Sequence, residues 1–426
     1  MVMGISEKSW IQTIPSLFVF FLITLTLILP LVDAQTPIIR GQSTLITSNE
    51  SSRDYWPTDG WRSRTPGDQG MSASVLNEMM DLIEEQEYPI DSILIIKNGY
   101  SVFEEYPGRY FYNTSLKLLH SVSKSFVSIL IGIALQQGLL DNVSQLVLDF
   151  FPEYEFANPD PRKDSITIEH LLTMTPGYDW DEWSAPYDDP ENNTLVAMMY
   201  SSDAVQYVLD RPMVYEPGEH WAYNGGASVL LGAIIQQIYD DSTRDVAEEH
   251  LFAPLGVDYF SLYILPSLWY NTMGGLSLNT NAMAKLGFLY LNNGTWNGTQ
   301  IVPADYVTNS IEPIEHPNPL GPQFGYGWHW WLREDLGIYF AYGRYGQKIM
   351  VSREHDMVVV FTANVGDYEY DPEFDLYNNY ILRSISVGPD GDNPLQIPPE
   401  IIIGLAIGSI VTIPLLVVFI KRIRKN

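Results

Sequence analysis

The pattern of apolar and polar residues predicts strands at both ends of one domain. Residues 92–97 and 100–105 are apolar or β-favouring runs on either side of Asn98-Gly99, a pair suited to the positive φ angles of a tight hairpin. Further runs near the other end of the chain read as successive antiparallel strands: 325–331, 339–342, 347–352 and 357–363. We expect one antiparallel sheet built from both groups.

Apolar residues at helical spacing predict helices beside this sheet. An opening helix is expected around 76–83, with Ser72 or Ser74 available as its N-cap. A second, buried helix is expected around 126–133, because Gly138 stands where such a helix would end. A closing helix is expected at 374–384.

Residues 140–310 are dominated by helical patterns that are broken by long loops, and the chain has no internal repeat. The predicted fold class is therefore α+β, an antiparallel sheet flanked by helices with a helical insertion domain. We place this domain at 71–385. Segments rich in Pro, Gly and Ser flank it, and we predict a linker at 35–70 and a stalk at 386–400.

Both ends of the chain carry apolar segments. Residues 1–34 have the layout of a secretory signal peptide, with an uncleaved N-terminal anchor as the alternative. Residues 401–420 contain no charge and are followed by a basic tail at 421–426, which predicts one C-terminal transmembrane helix. The predicted location is the cell membrane, single-pass, with the domain extracellular and the C-terminus cytoplasmic.

Composition narrows the possible partners. A formal net charge of −29 makes the surface repel nucleic acid, and we expect no nucleic-acid partner. The chain has no cysteine, so the folded domain has to rely on its core. Asn-x-Ser/Thr sequons would suit glycosylation of an exported protein, and they lie at Asn49, Asn113, Asn142, Asn192, Asn293 and Asn297.

The candidate chemistry lies at Ser121-Val122-Ser123-Lys124, at the start of the second predicted helix. A serine and a lysine three residues apart share a helix face. A serine hydroxyl becomes a good nucleophile when a neighbouring base takes its proton, and a lysine can be that base if burial lowers its pKa. Four residues of this kind also arise by chance, so the motif needs support from the rest of the chain.

Three other segments provide that support, because all four resemble motifs of the serine β-lactamase-related hydrolases in order and spacing. They are the segments 168–177, 217–224 and 343–347. Within the family the chain is most similar to the class C β-lactamase, D-alanyl-D-alanine carboxypeptidase and esterase group, and there to the aminohexanoate-oligomer hydrolase branch. The residues that support this branch are 69–71, 274–276 and 285–287.

The resemblance implies a β-lactamase/transpeptidase-like fold and an acyl-enzyme mechanism. Ser121 would attack an ester or amide carbonyl, Lys124 would hold or accept its proton, and Tyr223 would relay a proton to the leaving group. We expect the neighbouring ammonium to lower the pKa of Tyr223. The backbone N–H groups of Ser121 and Arg344 would bind the oxyanion. The resemblance also suggests substrate-binding positions: Asn224, Gly343, Tyr345 and Gly346.

Two departures from the family pattern affect the expected substrate. Tyr223 is followed by Asn224-Gly225, so the asparagine of the usual Tyr-x-Asn motif is either missing or displaced to Asn224. Ala341-Tyr342-Gly343 stands where the β-lactamases have a lysine or histidine before Thr-Gly, and that basic residue would bind a substrate carboxylate. Arg344 could replace the charge, or could form a surface ion pair. β-Lactams are therefore less favoured as substrates than simple esters or amides.

The sequence thus predicts a membrane-anchored extracellular serine hydrolase acting on a small ester or amide or a short peptide. The alternatives are a D-alanyl-D-alanine peptidase or an enzyme with penicillin-binding or β-lactamase activity, and a non-catalytic surface binding module on the same fold. No histidine or carboxylate spacing matches a metal motif, so we expect no metal and no cofactor. Five tryptophans could line the substrate mouth or belong to the core: Trp180, Trp183, Trp328, Trp330 and Trp331.

Overall fold

The structure is a computed structural model that describes residues 53–109, 111–315, 321–366 and 371–389. The strands are β1 (Ile90–Lys97), β2 (Tyr100–Glu105), β3 (Lys117–Leu118), β4 (Ser261–Leu262), β5 (Leu276–Leu278), β6 (Thr295–Trp296), β7 (Thr299–Gln300), β8 (Gly325–Tyr326), β9 (Trp331–Arg333), β10 (Ile338–Gly343), β11 (Gln347–Ser352) and β12 (Met357–Ala363). Seven of them form one antiparallel sheet in the order β2-β1-β12-β11-β10-β9-β8.

The helices surround this sheet. They are α1 (Ala73–Glu85), α2 (Val122–Gln136), α3 (Ile168–Leu172), α4 (Thr194–Met199), α5 (Ala204–Leu209), α6 (Gly225–Tyr239), α7 (Thr243–Ala247), α8 (Ala253–Leu255), α9 (Thr280–Leu291), α10 (Ala304–Ser310), α11 (Pro372–Leu376) and α12 (Arg383–Val387). Short 3₁₀ turns occur at Pro57–Asp59, Gly67–Gln69, Val147–Phe150, Pro161–Ser165, Glu334–Leu336 and Arg344–Gly346, and π turns at Glu248–Phe252 and Tyr377–Leu382.

The sheet joins the two ends of the domain, as the apolar pattern predicted. β1 pairs with β12, and Ile93 lies opposite Phe361. The β1–β2 hairpin turns at Asn98 and Gly99, whose φ angles are 52° and 84°. Positive φ at both positions matches the twist of antiparallel strands, so these two residues fix the register of the hairpin. The α+β arrangement is confirmed.

Helices cover both faces of the sheet. On β11, the Lys348 ammonium contacts Glu373 of α11, whereas the next residue, Ile349, lies against Gly287 of α9. Successive side chains of a strand point to opposite faces, so α9 and α11 lie on opposite sides. The predicted closing helix is confirmed as α11, the π turn and α12 in succession.

One predicted strand is divided in two. The run 325–331 forms β8 and β9, and between them the Gly327 N–H donates to the Trp330 carbonyl oxygen at 2.8 Å. His329 has a φ of 63° in this turn, and its backbone N–H donates to Leu172 at 3.0 Å. The apolar run continues through the turn because its tryptophans are buried there, so periodicity alone hides the break.

Part of the predicted linker is packed against the domain. In the described portion of 35–70, the Arg53 guanidinium pairs with the Asp356 carboxylate at 2.6 Å. Trp56 and Trp61 both pack edge-on against Phe288 of α9. Residues 53–61 of the predicted linker therefore belong to the folded unit.

The membrane part of the predicted fold and location needs correction. Among the residues that the structure describes, no helix has the length and apolar character needed to cross a bilayer. The segments expected to be signal peptide and transmembrane helix, 1–34 and 401–420, lie outside the described residues, as do the basic tail and most of the stalk. A single-pass membrane protein is therefore not supported, and that prediction is withdrawn.

Candidate active site

Ser121 and Lys124 meet at the start of α2. The Lys124 Nζ lies 3.2 Å from the Ser121 Oγ and donates to the Met273 carbonyl oxygen at 3.0 Å. The Lys124 side chain is buried, whereas Ser121 is partly exposed. The three-residue spacing thus places an amine beside a hydroxyl that a substrate can reach.

The small sheet beside α2 holds this arrangement in place. β5 pairs with β3, which ends just before Ser121, and the Leu119 N–H donates to Leu276 at 2.8 Å. The Ser123 Oγ accepts the Leu276 N–H at 3.0 Å. The segment that carries Met273 is therefore tied to the first turn of α2, and the carbonyl partner of Lys124 is fixed relative to Ser121.

Tyr223 completes the group. It lies immediately before α6, its side chain is buried, and its ring centroid is 4.8 Å from the Lys124 Nζ. Burial raises the pKa of the Tyr223 phenol, and the nearby Ser121 hydroxyl acts in the opposite direction. The structure therefore brings Ser121, Lys124 and Tyr223 together, although Tyr223 is distant from the other two in sequence.

The pKa values of this group differ in direction. Burial lowers the pKa of Lys124 to about 8, and the nearby Glu182 carboxylate opposes that change. Burial raises the pKa of Tyr223 well above its ordinary value, with further contributions from Tyr326 and Glu182. The expected lowering of the Tyr223 pKa is therefore wrong, because a buried phenol near a carboxylate resists ionisation. Lys124 therefore has the larger deprotonated fraction near neutral pH and is available as the base, whereas Tyr223 keeps its proton until a strongly basic leaving group takes it.

The third motif lies against the segment that carries Ser121. A Cβ on Gly343, the last residue of β10, would stand 2.1 Å from the Leu119 carbonyl oxygen. Tyr345 has a φ of 66°, and its ring packs edge-on against His120 at 5.1 Å. Arg344 is the next residue after Gly343, so its backbone lies beside the contact between the end of β10 and the segment that leads into α2.

The side chains around this loop face different partners. The Arg344 guanidinium lies over the rings of Tyr187 and Tyr345, at 4.8 Å and 4.7 Å. Gly346 is buried, and a Cβ there would stand 2.2 Å from a Glu373 carboxylate oxygen. The loop is thus bordered by aromatic rings on one side and by α11 on the other.

Asn224 serves the helix that follows Tyr223. Its side chain is buried, and its oxygen accepts the Ala227 N–H at 3.0 Å as the N-cap of α6. The orphan amide at a helix start is thereby satisfied. Asn224 fixes the backbone next to Tyr223.

Two tryptophans pack beside the Tyr223 ring in the group formed by Ser121, Lys124 and Tyr223. Trp183 is partly exposed and stacks on the Tyr223 ring at 5.0 Å, and Trp331 lies 5.8 Å from it. Trp328 and Trp330 are buried in the core, where Trp330 packs on Tyr290 at 4.3 Å. Of the five predicted tryptophans, Trp183 is therefore the one that is partly exposed beside the site, whereas Trp331 and Trp180 are buried like the other two.

Glu182 is a neighbour of the group that the sequence did not reveal. Its carboxylate is buried, accepts the Gly225 N–H at 2.6 Å, and interacts with the charge on Lys124. In the sequence, the neighbouring Asp179 and Asp181 are typical of a solvated turn. No residue pattern indicates that the side chain of Glu182, which follows them, points into the protein. Among the described residues, no three His, Asp or Glu side chains are grouped so as to hold a metal ion.

Comparisons with known proteins agree with the resemblance indicated by the motifs. The beta-lactamase family model matches residues 74–379. An uncharacterized protein of Alkalihalophilus pseudofirmus is 23% identical over 312 residues, which cover 64% of this chain and 83% of the relative. Protein flp of Staphylococcus aureus is 27% identical over 249 residues, or 55% of this chain. The chain spans 45% of the length of that relative.

A solved structure shares the fold. A Bacillus anthracis protein assigned as a 6-aminohexanoate-dimer hydrolase superposes with a TM-score of 0.62 at 19% identity. The superposition covers 76% of this chain and 86% of that one.

Proposed function

Because the chain belongs to the beta-lactamase family of serine hydrolases, we propose that it cleaves a small ester or amide through a covalent acyl-enzyme on Ser121. The observation that carries this proposal is the 3.2 Å separation between the Lys124 Nζ and the Ser121 Oγ, combined with a Lys124 pKa of about 8. A lysine with such a pKa has a sizeable neutral fraction near neutral pH and can accept the serine proton.

In the proposed acylation, the neutral Lys124 amine takes the Ser121 proton while the Oγ attacks the substrate carbonyl carbon. The backbone N–H groups of Ser121 and Arg344 stabilise the negative charge on the carbonyl oxygen. Tyr223 gives its proton to the leaving alcohol or amine as the bond to that group breaks, and Lys124 reprotonates the phenolate. Water then attacks the acyl-enzyme, and the same groups return the proton to Ser121.

The remaining predicted site residues take supporting roles in this proposal. Gly343, Tyr345 and Gly346 form the loop along which the acyl part of the substrate would lie. Asn224 holds the backbone beside Tyr223 through its helix cap and is not assigned a substrate contact. The partly exposed Trp183 would contact the apolar part of the substrate, and the buried Trp331 packs near the Tyr223 ring.

A carboxylate-bearing β-lactam or cell-wall peptide is a weaker candidate. Ala341 occupies the position of the basic residue that would bind such a carboxylate, and the next residue, Tyr342, lies opposite Lys348 across the strand pair. The Lys348 ammonium is completely buried and lies 3.1 Å from both the Asp371 and the Glu373 carboxylates. Its charge is therefore compensated within the protein, which supports substrates without a carboxylate at this end of the site.

The test compares wild type with Ser121→Ala on p-nitrophenyl butyrate, a p-nitroanilide of the same acid, and a chromogenic cephalosporin. Wild type should hydrolyse the ester or the anilide and react with a fluorophosphonate probe, and Ser121→Ala should do neither. Ser202→Ala, an exposed serine, is the matched control and should behave as wild type. Probe labelling that survives in Ser121→Ala would refute the proposal, and turnover of the cephalosporin alone would favour the β-lactamase alternative. A wild type that turns over none of these compounds and is not labelled would favour the binding module.

A further inference from the structure

A buried carboxylate lies behind the candidate catalytic group. Glu182 is 2% exposed, and its Oε2 accepts the Trp180 Nε1–H at 2.8 Å and the Gly225 N–H at 2.6 Å. A Cβ on Gly225 would stand 2.4 Å from a Leu195 methyl and 3.1 Å from this oxygen, so a glycine permits the close approach. The carboxylate is held in one position by two donors from different parts of the chain.

Polar neighbours partly offset the burial of the Glu182 carboxyl. Burial raises the pKa of the Glu182 carboxyl above its ordinary value, and the Lys124 ammonium, the Gly225 amide and the Trp180 indole offset only part of that rise. Gly225 is also the first residue of the 15-residue helix α6, and the start of a helix favours negative charge. Two N–H donors and a helix start therefore surround the Glu182 carboxyl group, and both stabilise its charged form against the effect of burial.

The titratable groups around Glu182 come from several elements. Lys124 of α2 is the cation, Tyr223 and Tyr326 contribute phenols, and Asp181 is the adjacent carboxylate. Burial lowers the pKa of the His329 ring to about 3, and the charge on Lys124 acts in the same direction. The ring therefore carries no charge at neutral pH. Among these described groups, Glu182 is the buried carboxyl group that interacts electrostatically with the Lys124 ammonium.

We propose that Glu182 is a positioning residue of the acylation site, whose buried carboxylate supplies the countercharge that sets how readily Lys124 takes up and releases a proton. This inference rests on the proposed roles of Ser121 and Lys124. Lys124 itself is held by neutral partners, the Ser121 hydroxyl and the Met273 carbonyl. A buried ammonium among neutral partners is costly, so a carboxylate nearby is needed to keep the protonated state accessible during the catalytic cycle.

The decisive variant is Glu182→Gln, which keeps an oxygen acceptor for Trp180 and Gly225 but removes the charge. Lys124 should then lose its proton at lower pH, because burial remains while the countercharge is gone. We expect the acid limb of the profile of kcat/KM against pH to move down by about one pH unit, which is a tenfold change in the neutral fraction of Lys124 on that limb. The pH dependence of fluorophosphonate labelling should move in the same direction, and this readout does not depend on turnover.

Two further variants make the test specific. Asp181→Asn removes an exposed carboxylate from the adjacent residue and should leave the profile at its wild-type position. Trp180→Phe removes one donor to Glu182 and should shift the acid limb in the same direction by a smaller amount. If Glu182→Gln does not fold, as shown by circular dichroism, the decision rests on Trp180→Phe.

The outcomes separate this inference from the proposed function. An acid limb that stays at the wild-type pH in folded Glu182→Gln overturns the role of Glu182, and so does an unshifted Trp180→Phe if the first variant is unfolded. An equal shift in Asp181→Asn also overturns it, because the effect would then be one of general surface charge. Labelling that persists in Ser121→Ala would instead refute the acyl-enzyme on which the inference rests.

Discussion

Gly343→Ala tests whether the third motif and the Ser121 segment must touch for the site to work. Gly343 has φ and ψ angles of −125° and 150°, which alanine adopts without strain. The added Cβ, however, would stand 2.1 Å from the Leu119 carbonyl oxygen, and real Cβ contacts are essentially never under 3.0 Å. The end of β10 and the start of α2 must therefore move apart by roughly 1 Å.

The size of the effect follows from that displacement. Overpacking at a rigid contact typically costs about 1–3 kcal/mol of stability. A misplacement of about 1 Å between catalytic groups can lower the rate about 100-fold, because the oxyanion donors no longer match the position of the developing charge. We therefore expect a modest loss of thermal stability and a much larger loss of kcat/KM.

The assay measures kcat/KM on the best p-nitrophenyl ester, the rate of fluorophosphonate labelling, and Tm by differential scanning fluorimetry. Gly67→Ala is the matched control, because the nearest atom to its Cβ is 3.6 Å away, an ordinary contact. It should retain wild-type rates and Tm. If Gly343→Ala keeps kcat/KM within about threefold of wild type, the argument that this contact positions the oxyanion site is wrong.

Three further predictions concern titration and burial. The kcat/KM of wild type should rise with pH through about 8, since the pKa of Lys124 is about 8 and its neutral form is the base; a profile flat from pH 6 to 9 would contradict this. Burial lowers the pKa of the His329 ring from 6.5 to about 3. Between these pH values the unfolded chain binds more protons than the folded one, so Tm should fall as the pH drops through this range. His329→Asn, which tolerates the positive φ, should show a shallower fall. Lys348→Met leaves two carboxylates facing each other and should cost about 3–5 kcal/mol in urea unfolding, partly recovered by adding Glu373→Gln; no recovery would argue against the ion pair as the cause.

The site was predictable where its signals are local. The spacing of Ser121 and Lys124 on one helix turn is enough to bring the amine to the hydroxyl, and the structure places them 3.2 Å apart. The hairpin at Asn98-Gly99 was predictable for the same reason, because the turn chemistry is carried by two adjacent residues. Tyr223 was found only because its motif resembles that of a known family.

Other features depend on contacts between distant segments. The pKa of Tyr223 is raised by burial and by Glu182, and neither can be read from the residues next to it. Glu182 itself lies beside the exposed Asp181 in sequence, yet it turns inward because the Trp180 indole and the Gly225 amide meet it there. The identity of a residue does not show whether its carboxylate lies on a solvated turn or is buried and hydrogen-bonded to the start of a helix that is distant in sequence.

The pairing of β1 with β12 has a consequence for synthesis of the chain. β1 is an inner strand of the sheet, flanked by β2 and β12, but Ile93 and its partner Phe361 are separated by most of the domain. While the ribosome is still making the intervening segments, the β1–β2 hairpin has an open, apolar edge that can pair with another chain. Folding with such long-range contacts is slow. A chain that stops before residue 357 therefore lacks the strand that closes this edge, and we expect it to aggregate rather than persist as a smaller domain.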